Sequence, residues 1–413
     1  MKVLLLNTSE RTGGAAVASN RLMRALQKQG IKVKMLVRDK QSQDKDIETI
    51  STNWITQKIN LFRFYWERLL IFLANHFCKK ELFRVSIANT GTDISRHPWV
   101  QEADIIHLHW INQGFLSLQD IQKLSQLGKP IIWTMHDMWP CTGICHHARE
   151  CTSYLTLCKK CFYLQSSNID LSTKVYQKKL QIYESANITF VGCSHWLTNR
   201  ASQSRLVNNK NVLNIPNPIN TAVFHPKNQS NSRKLFNLPT NKKLILFGAL
   251  NVTDVRKGVY YLLKALTLMP TDNTELVVFG QIKSDIKQQM PVPIHSLGYL
   301  TNGEKIATLY NAVDLFVTSS LDENLPNTIM EAMACGTPCV GFATGGIPEM
   351  IDHLRNGYVA KYKSAEDLAN GIRWVLEHPD KDSLSKACVE KVKRCYAEEI
   401  VAKQYIRLYQ DLL

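Results

Sequence analysis

The chain has 413 residues, 45% of them apolar, enough for two or three domains with substantial cores. Fifty Lys and Arg against 35 Asp and Glu give a net charge of +15, which points to an anionic partner such as a membrane face or a phosphorylated substrate. Without a Lys/Arg block or a nucleic-acid module, no nucleic-acid partner is expected. No apolar run is long enough to span a bilayer, the start MKVLLLNTSE lacks the form of a signal peptide, and an odd number of cysteines, eleven, argues for thiols over a disulfide framework, so a cytoplasmic protein is expected.

Lys2 to Leu6 reads as a buried strand, Asn7 to Thr12 as a loop, and Gly13-Gly14 as the opening of a helix from Ala15 to Gln29. Ile31 to Val37 is the next strand. Strand, glycine turn and helix build a pocket lined by backbone N–H groups; a tight turn alone would also require these glycines. The G-x-G-x-x-G pattern is absent, so NAD binding is not supported. Asp39 to Asn53 is polar and expected to be an irregular loop. From Trp54 to Arg84, Ile55, Ile59, Phe62, Trp66, Leu69, Leu70 and Phe77 recur at helical spacing. In that stretch Lys58, Arg63, Arg68, Lys79, Lys80 and Arg84 stand against Glu67 and Glu81. A basic, aromatic-rich helix of this kind can lie on an anionic membrane; the other reading is a core helix with a solvated face.

Ala103 to His109 is another strand, ending in His-Leu-His-Trp. A helix over 121–127 closes at Gly128, and the strand Pro130 to Met135 delivers His136-Asp137 at its carboxyl end. Ligands of open α/β sheets bind there. A satisfied structural histidine is the second reading of His136, and His109 competes for its role. Cys145, Cys151, Cys158 and Cys161, with His146 and His147 nearby, have the numbers to fix a structural Zn²⁺. Their spacing is not a standard zinc pattern, free thiols are the alternative, and no catalysis is expected from them. Leu171 to Ala186 reads as a helix, Thr189 to Cys193 as a strand, and Ser194 as the cap of the next helix. The polar run Lys227 to Asn241 follows a domain boundary placed at 220–228.

The second half opens with the strand Leu244 to Gly248, a loop, Arg256-Lys257-Gly258, and a helix from Val259 to Leu268. Strands follow at Glu275–Gly280 and His295–Leu300, then a helix from Glu304 to Asn311. The strand Asp314 to Ser319 runs into a polar loop holding Glu323 and Asn324-Leu325-Pro326-Asn327. A helix from Thr328 to Cys335 stops at Gly336. Pro338 to Phe342 is a strand, Thr344-Gly345-Gly346 a turn, and Pro348 marks the first turn of another helix. A helix start is an anion site, and carboxylates such as Glu323 and Glu331 accept pairs of hydroxyls. Together they suit a nucleotide sugar; two ordinary surface glutamates are the alternative. Helices over 365–377 and 398–413 close the chain.

The stretch ENLPNTIMEAMACGTPCV…GGIPE resembles the signature of glycosyltransferase family 4, retaining enzymes of the two-domain GT-B fold. Residues 136–145 resemble the HDxWPxTGxC segment of a polysaccharide-assembly subgroup, and the run from Ile215 to Phe224 resembles the segment that links the two domains. The resemblance implies an α/β chain of two Rossmann-like doubly wound domains facing a crevice: an acceptor-side domain over 1–224, a nucleotide-sugar domain over 225–396, and a helix over 397–413 that packs back on the first. It implies a retaining hexosyltransferase moving sugar from a nucleotide-sugar donor to a glycan or lipid-linked acceptor in surface polysaccharide biosynthesis, with no metal or cofactor. The basic, aromatic-rich stretch up to Arg84 adds the expectation of a peripheral contact with the inner membrane face. Gly13 and Gly14 are carried over as the glycine loop, and His136 as the group beside the reacting sugar. Lys257 is matched to the donor diphosphate, a role suited to a compact point charge. Glu331 is matched to the ribose hydroxyls. Glu323, with the backbone of Leu325, Pro326, Asn327 and Thr328, is matched to the donor sugar and phosphates. Tyr299 and Leu300 fall where the base is held. Where the family has Arg after the strand's Gly, this chain has Ala249, so Arg256 is given that role, with solvated surface charge as the other reading. The rivals are an epimerase or phosphorylase on the same fold, or a sugar-nucleotide-binding module without catalysis.

Overall fold

The hydrophobic runs of the sequence form parallel strands in a computed structural model of the chain, which describes residues 1–165 and 170–413. The chain falls into two units, Met1–Asn217 with Val401–Leu413, and Pro218–Ile400. In the first unit β1 (Lys2–Ser9), β2 (Lys32–Asp39), β3 (Ile47–Thr49), β4 (Ile105–Leu108), β5 (Ile131–Met135), β6 (Ile188–Gly192) and β7 (Val212–Asn214) pair in the order β3-β2-β1-β4-β5-β6-β7. In the second, β8 (Lys243–Asn251), β9 (Thr274–Gln281), β10 (Ile294–Ser296), β11 (Leu315–Thr318), β12 (Cys339–Phe342) and β13 (Gly357–Ala360) pair in the order β10-β9-β8-β11-β12-β13. Both sheets wind outward from their first strand and then reverse. Their switch points therefore fall between β1 and β4 and between β8 and β11, where ligands of doubly wound sheets bind.

A parallel sheet is covered on both faces, so its strands read as unbroken apolar runs. Alternate residues of β1 go to opposite sides. Leu4 and Leu6 join Ile106, Leu108 and Trp133 in one core, and Val3 and Leu5 join Ile105, Ile132 and Val191 in the other. The second core is completed from the far end of the chain. The helix Glu398–Leu412 brings Val401, Ala402, Tyr405, Leu408 and Tyr409 to it. Both tyrosine hydroxyls are satisfied inside that core: Tyr409 OH lies 2.8 Å from His107 Nδ1, Tyr405 OH 2.8 Å from Thr134 Oγ1, and His107 Nε2 2.8 Å from the same Thr134 oxygen.

Several segments depart from the expected elements. The strand expected over His295–Leu300 is confined to Ile294–Ser296. The helix expected to reach Arg84 spans Trp54–Ala74 and stops there, with His76 and Phe77 in the left-handed region at φ 50° and 59°. Its start is fixed by a capping box between Asn53 and Thr56. The polar loop 39–53 contains β3, paired with β2 from Met35↔Ile47 to Val37↔Thr49; three residues are too few to show a period. The polar run after the domain boundary holds a helix, Gln229–Leu235, capped by Asn228. Inside it Arg233 is buried, donating to the carbonyls of Ala312, Pro239, Thr240 and Lys242 and pairing with Asp314 at 2.8 Å.

Tyr409→Phe removes one hydroxyl from the buried chain Tyr409–His107–Thr134–Tyr405 and leaves His107 Nδ1 unsatisfied. A loss of about 1–3 kcal/mol in urea unfolding is expected; an unchanged midpoint would show that the Tyr409–His107 link contributes nothing to stability.

Candidate functional site

In the second unit three loops converge at the carboxyl ends of the strands. The loop after β8 ends in a turn, Val255–Lys257, capped by Asp254, whose carboxylate accepts from Arg256 N at 3.0 Å. The same carboxylate holds the Arg256 guanidinium through contacts of 2.6 and 3.1 Å. Gly258 follows at φ 64°, and a Cβ there would sit 2.0 Å from Ser319 O. The loop after β11 is thereby stitched to it: Ser319 Oγ donates to Lys257 O (3.0 Å) and Gly258 O (2.8 Å), and Leu321 N donates to Arg256 O (2.6 Å). These contacts bring Lys257 Nζ to 2.5 Å from Glu323 Oε1. The turn after β12 approaches as closely. Gly345 has φ 57°, its Cβ would meet Glu323 O at 1.8 Å, and Gly346 N donates to Asn324 O at 2.6 Å.

The helix Asn327–Ala334 leaves from this point, with Pro326 at its N-cap and therefore no capping side chain. Its positive end is directed at the loop that carries Glu323. Glu331 lies one turn further in, 8% exposed, and Tyr310 OH donates to its Oε2 at 3.3 Å. Burial, together with Glu331, pushes the Tyr310 phenol well up, so it remains a donor. Leu325 is buried beside them. The structure thus gathers Lys257, Glu323, Leu325 and the helix start at Asn327 and Thr328, with Glu331 just beneath. It turns the Arg256 guanidinium onto Asp254. Tyr310 was not read from the sequence, where it is one more apolar position of its helix.

In the first unit the loop after β1 is anchored by Glu10, buried, whose Oε2 accepts from Gln41 N (2.7 Å) and Ser42 N (2.9 Å). Gly13, at φ 94°, begins the helix Gly14–Lys28 with no side chain to cap it. Beyond β4 and β5, His109 Nδ1 and His136 Nε2 lie 3.0 Å apart, and the rings of His107 and His109 stack at 4.4 Å. Burial holds all three far below the usual histidine range: His107 near about 3, His136 near about 4, His109 also well down. At neutral pH they are uncharged, each with one donor and one acceptor nitrogen.

Asp137 is the opposite case. Burial works against its charge, yet His146 Nδ1 at 2.7 Å, the Trp139 amide at 2.8 Å and Trp110 Nε1 at 2.9 Å surround it, and its pKa is held at about 2. Lys179, from the helix Leu171–Ser185, is fully buried beneath this segment. It donates to Trp139 O (2.6 Å) and Thr142 O (2.9 Å) with the Trp139 ring 3.4 Å away, and burial draws its pKa down to about 7. Lys179 escaped the sequence reading, although its spacing from Tyr176 and Tyr183 marks it as inward-facing. Cys145 and Cys158 are buried, and Gly143 N donates to Cys158 Sγ at 3.2 Å. Burial pushes Cys158 up to about 11 and Cys161 to about 12, so both are thiols. Among the described residues no group of three or more His, Cys, Asp or Glu is placed to hold a metal ion. A pocket of about 530 Å³ opens beside β2, lined by Arg38, Lys40, Ser51, Gln57, Asn60 and Phe64 among others.

Two doubly wound parallel sheets, each with loops gathered at its switch point, define the Rossmann-like two-domain GT-B fold. The family model described as Glycosyltransferase Family 4 matches residues 12–223, and that of Glycosyl transferases group 1 matches residues 228–394. The chain belongs to glycosyltransferase family 4. It is 25% identical over 214 residues to N-acetyl-alpha-D-glucosaminyl L-malate synthase of Bacillus anthracis, covering 50% of this chain and 55% of that one. It is 28% identical over 200 residues to the N,N'-diacetylbacillosaminyl-diphospho-undecaprenol alpha-1,3-N-acetylgalactosaminyltransferase of Campylobacter jejuni, covering 47% and 53%. The chain spans about half the length of these curated relatives. Anabaena HepE, solved in complex with UDP and glucose, superposes with a TM-score of 0.69 over 100% of both chains at 15% identity, a likeness of fold.

The neutral histidines make stability depend on pH with a definite sign. Their folded pKa values lie below the unfolded value near 6.5, so their contribution is intact above pH 6.5 and is lost as pH falls. Between pH 6.5 and 5, above the carboxylate range, stability should fall by up to about 1.4 kcal/mol per pH unit for each histidine. A flat profile in that window would mean the rings are not held neutral.

Proposed function

We propose that the chain is a retaining hexosyltransferase that moves a sugar from a nucleotide-sugar donor to a glycan or lipid-linked acceptor in surface polysaccharide assembly. The observation that carries this reading is the Lys257–Glu323 contact above the start of the helix Asn327–Ala334. A compact cation and a helix N-terminus at one switch point suit a diphosphate. In the free protein Glu323 serves as the counter-ion of Lys257. On donor binding the phosphates take that place and Glu323 turns to sugar hydroxyls. Lys257 and the helix start then stabilise the charge that grows on the departing diphosphate. Glu331, oriented by Tyr310, takes the ribose hydroxyls, and the backbone from Leu325 to Thr328 closes on the sugar and phosphates. Arg256 supports the phosphates from its place on Asp254.

Residues 1–224 are assigned to the acceptor side and 225–396 to the donor. His136 meets the reacting sugar as a neutral hydrogen-bonding group, beside the glycine loop of Gly13 and Gly14. Its neighbour His109 supports this: its Nε2 is buried without a hydrogen-bond partner among the described residues. Leaving such an atom unsatisfied costs about 1–3 kcal/mol, a cost that a substrate hydroxyl in that place would offset.

The first test is a thermal-shift screen against UDP, GDP, ADP and their sugars, because a ligand of the native state raises its melting temperature. Labelled donor with a lipid-linked acceptor then reads transfer. Interconversion of the donor would make the protein an epimerase, and binding without turnover a module. Lys257→Ala should lower kcat by about 100-fold or more, the scale of losing one transition-state donor; a change in KM alone would limit Lys257 to binding. Glu331→Ala should weaken donor recognition by about 10- to 100-fold, the loss of a hydrogen bond to a charged group, and unchanged donor kinetics would take Glu331 out of the site.

A further inference from the structure

The helix Trp54–Ala74 is inside out. Its polar side faces the protein. Glu67 is 1% exposed, pairs with Arg68 at 2.8 Å, and accepts from the amides of Ile87 (2.7 Å) and Ala88 (2.9 Å). Arg68 donates to Val85 O at 2.9 Å, and Asn60 donates to Ser51 Oγ at 2.7 Å. The opposite side is apolar and open. Trp54, Phe62, Tyr65, Trp66, Leu69 and Leu73 are 39 to 65% exposed. At 100° per residue they fall on one arc, running about 28 Å along the helix. An ordinary surface helix has the reverse arrangement. Phe77 and Phe83, 68% and 69% exposed, extend the apolar surface past the helix end.

The charges at the margin name the partner. Both carboxylates of residues 54–84 are consumed internally, Glu67 by Arg68 and Glu81 by Arg84 at 3.0 Å. The exposed charged residues of the segment are Lys58, Lys79 and Lys80, and Lys58 lies over the Trp54 ring at 4.9 Å. Tryptophan and tyrosine with lysine at the edges is the composition of the bilayer interface. A contact between two copies would set this lysine-edged face against itself. Among the described residues no helix is long and apolar enough to cross a membrane, so the helix would lie in the interface plane.

We infer that the Trp54–Ala74 face, with Phe77, Phe83 and the lysine margin, is a docking surface for an anionic lipid bilayer. The inference stands on exposure and charge alone and does not depend on the transferase reading. The inner side of the same helix, through Gln57 and Asn60, lines the pocket beside β2. Docking therefore holds that pocket within one helix diameter, ~10 Å, of the lipid surface.

Co-sedimentation of the full chain with phosphatidylglycerol vesicles tests it, with phosphatidylcholine vesicles as the comparison. Wild type should bind the anionic vesicles at low salt, weaken as salt rises, and bind the zwitterionic ones less. Lys79→Glu with Lys80→Glu should weaken binding at least about 30-fold. Phe62→Gln with Trp66→Gln should also lose it, while keeping the wild-type melting temperature because both side chains are already exposed. No binding to phosphatidylglycerol at low salt, equal binding to both vesicles, or undiminished binding by either double variant overturns the proposal. So does a dimer in light scattering that the Phe62→Gln, Trp66→Gln variant converts to monomer, since a second copy would then cover the face.

Discussion

The candidate donor site depends on two backbone contacts that admit no side chain. Gly258 lies against Ser319 O and Gly345 against Glu323 O, and in each case a single methyl group would overlap the neighbouring carbonyl. Both glycines also hold left-handed backbone that other residues adopt only with strain. The contacts that join one loop to the next follow from this proximity. Ser319 can reach two carbonyls, Leu321 can reach Arg256, and Lys257 can reach Glu323, because nothing separates the chains. The candidate groups are therefore positioned by main chain, which has few ways to relax.

The two units present different electrical surroundings. At the switch point of the second, charge is kept charged: Lys257 with Glu323, and Arg256 with Asp254. In the first, burial strips charge from His107, His109 and His136, and Lys179 is drawn toward neutrality. Asp137, beside them, keeps its charge because donors enclose it. A phosphate needs the first kind of site and an uncharged hydroxyl the second. This division is what the proposed reading asks for, a diphosphate at one site and hydroxyls at the other.

Much of this was legible in the sequence where the information is local. Apolar runs located the strands, glycine and proline located the turns, and the run from Glu323 to Glu331 announced a carboxylate-bearing loop before a helix. What stayed hidden depends on residues far away in the chain. Tyr310 meets Glu331 across 21 positions, Lys179 meets Trp139 across 40, and Tyr409 meets His107 across 302. The Trp54–Ala74 helix is the clearest instance. Its apolar period was readable, but a period gives a stripe and not the direction in which the stripe points. That direction is set by the amides of Ile87 and Ala88, which claim Glu67 and turn the polar side inward. The helix ends ten residues before its charge pattern does because His76 and Phe77 leave helical backbone, which composition does not forecast.

The first unit is discontinuous: the sheet that begins at Lys2 receives its last helix from Val401 onward, with the whole of Pro218–Ile400 in between. Translation proceeds in one direction, so the second unit has all its residues while the first still lacks a layer. At about 5–20 residues per second, that interval lasts roughly ten seconds or more. Throughout it Val3, Leu5, Ile105 and Ile132 have no cover from Tyr405 and Tyr409, and His107 has no tyrosine. The unit made first is finished last, and until residues 401–413 emerge that side of its sheet stands without the apolar cover they bring.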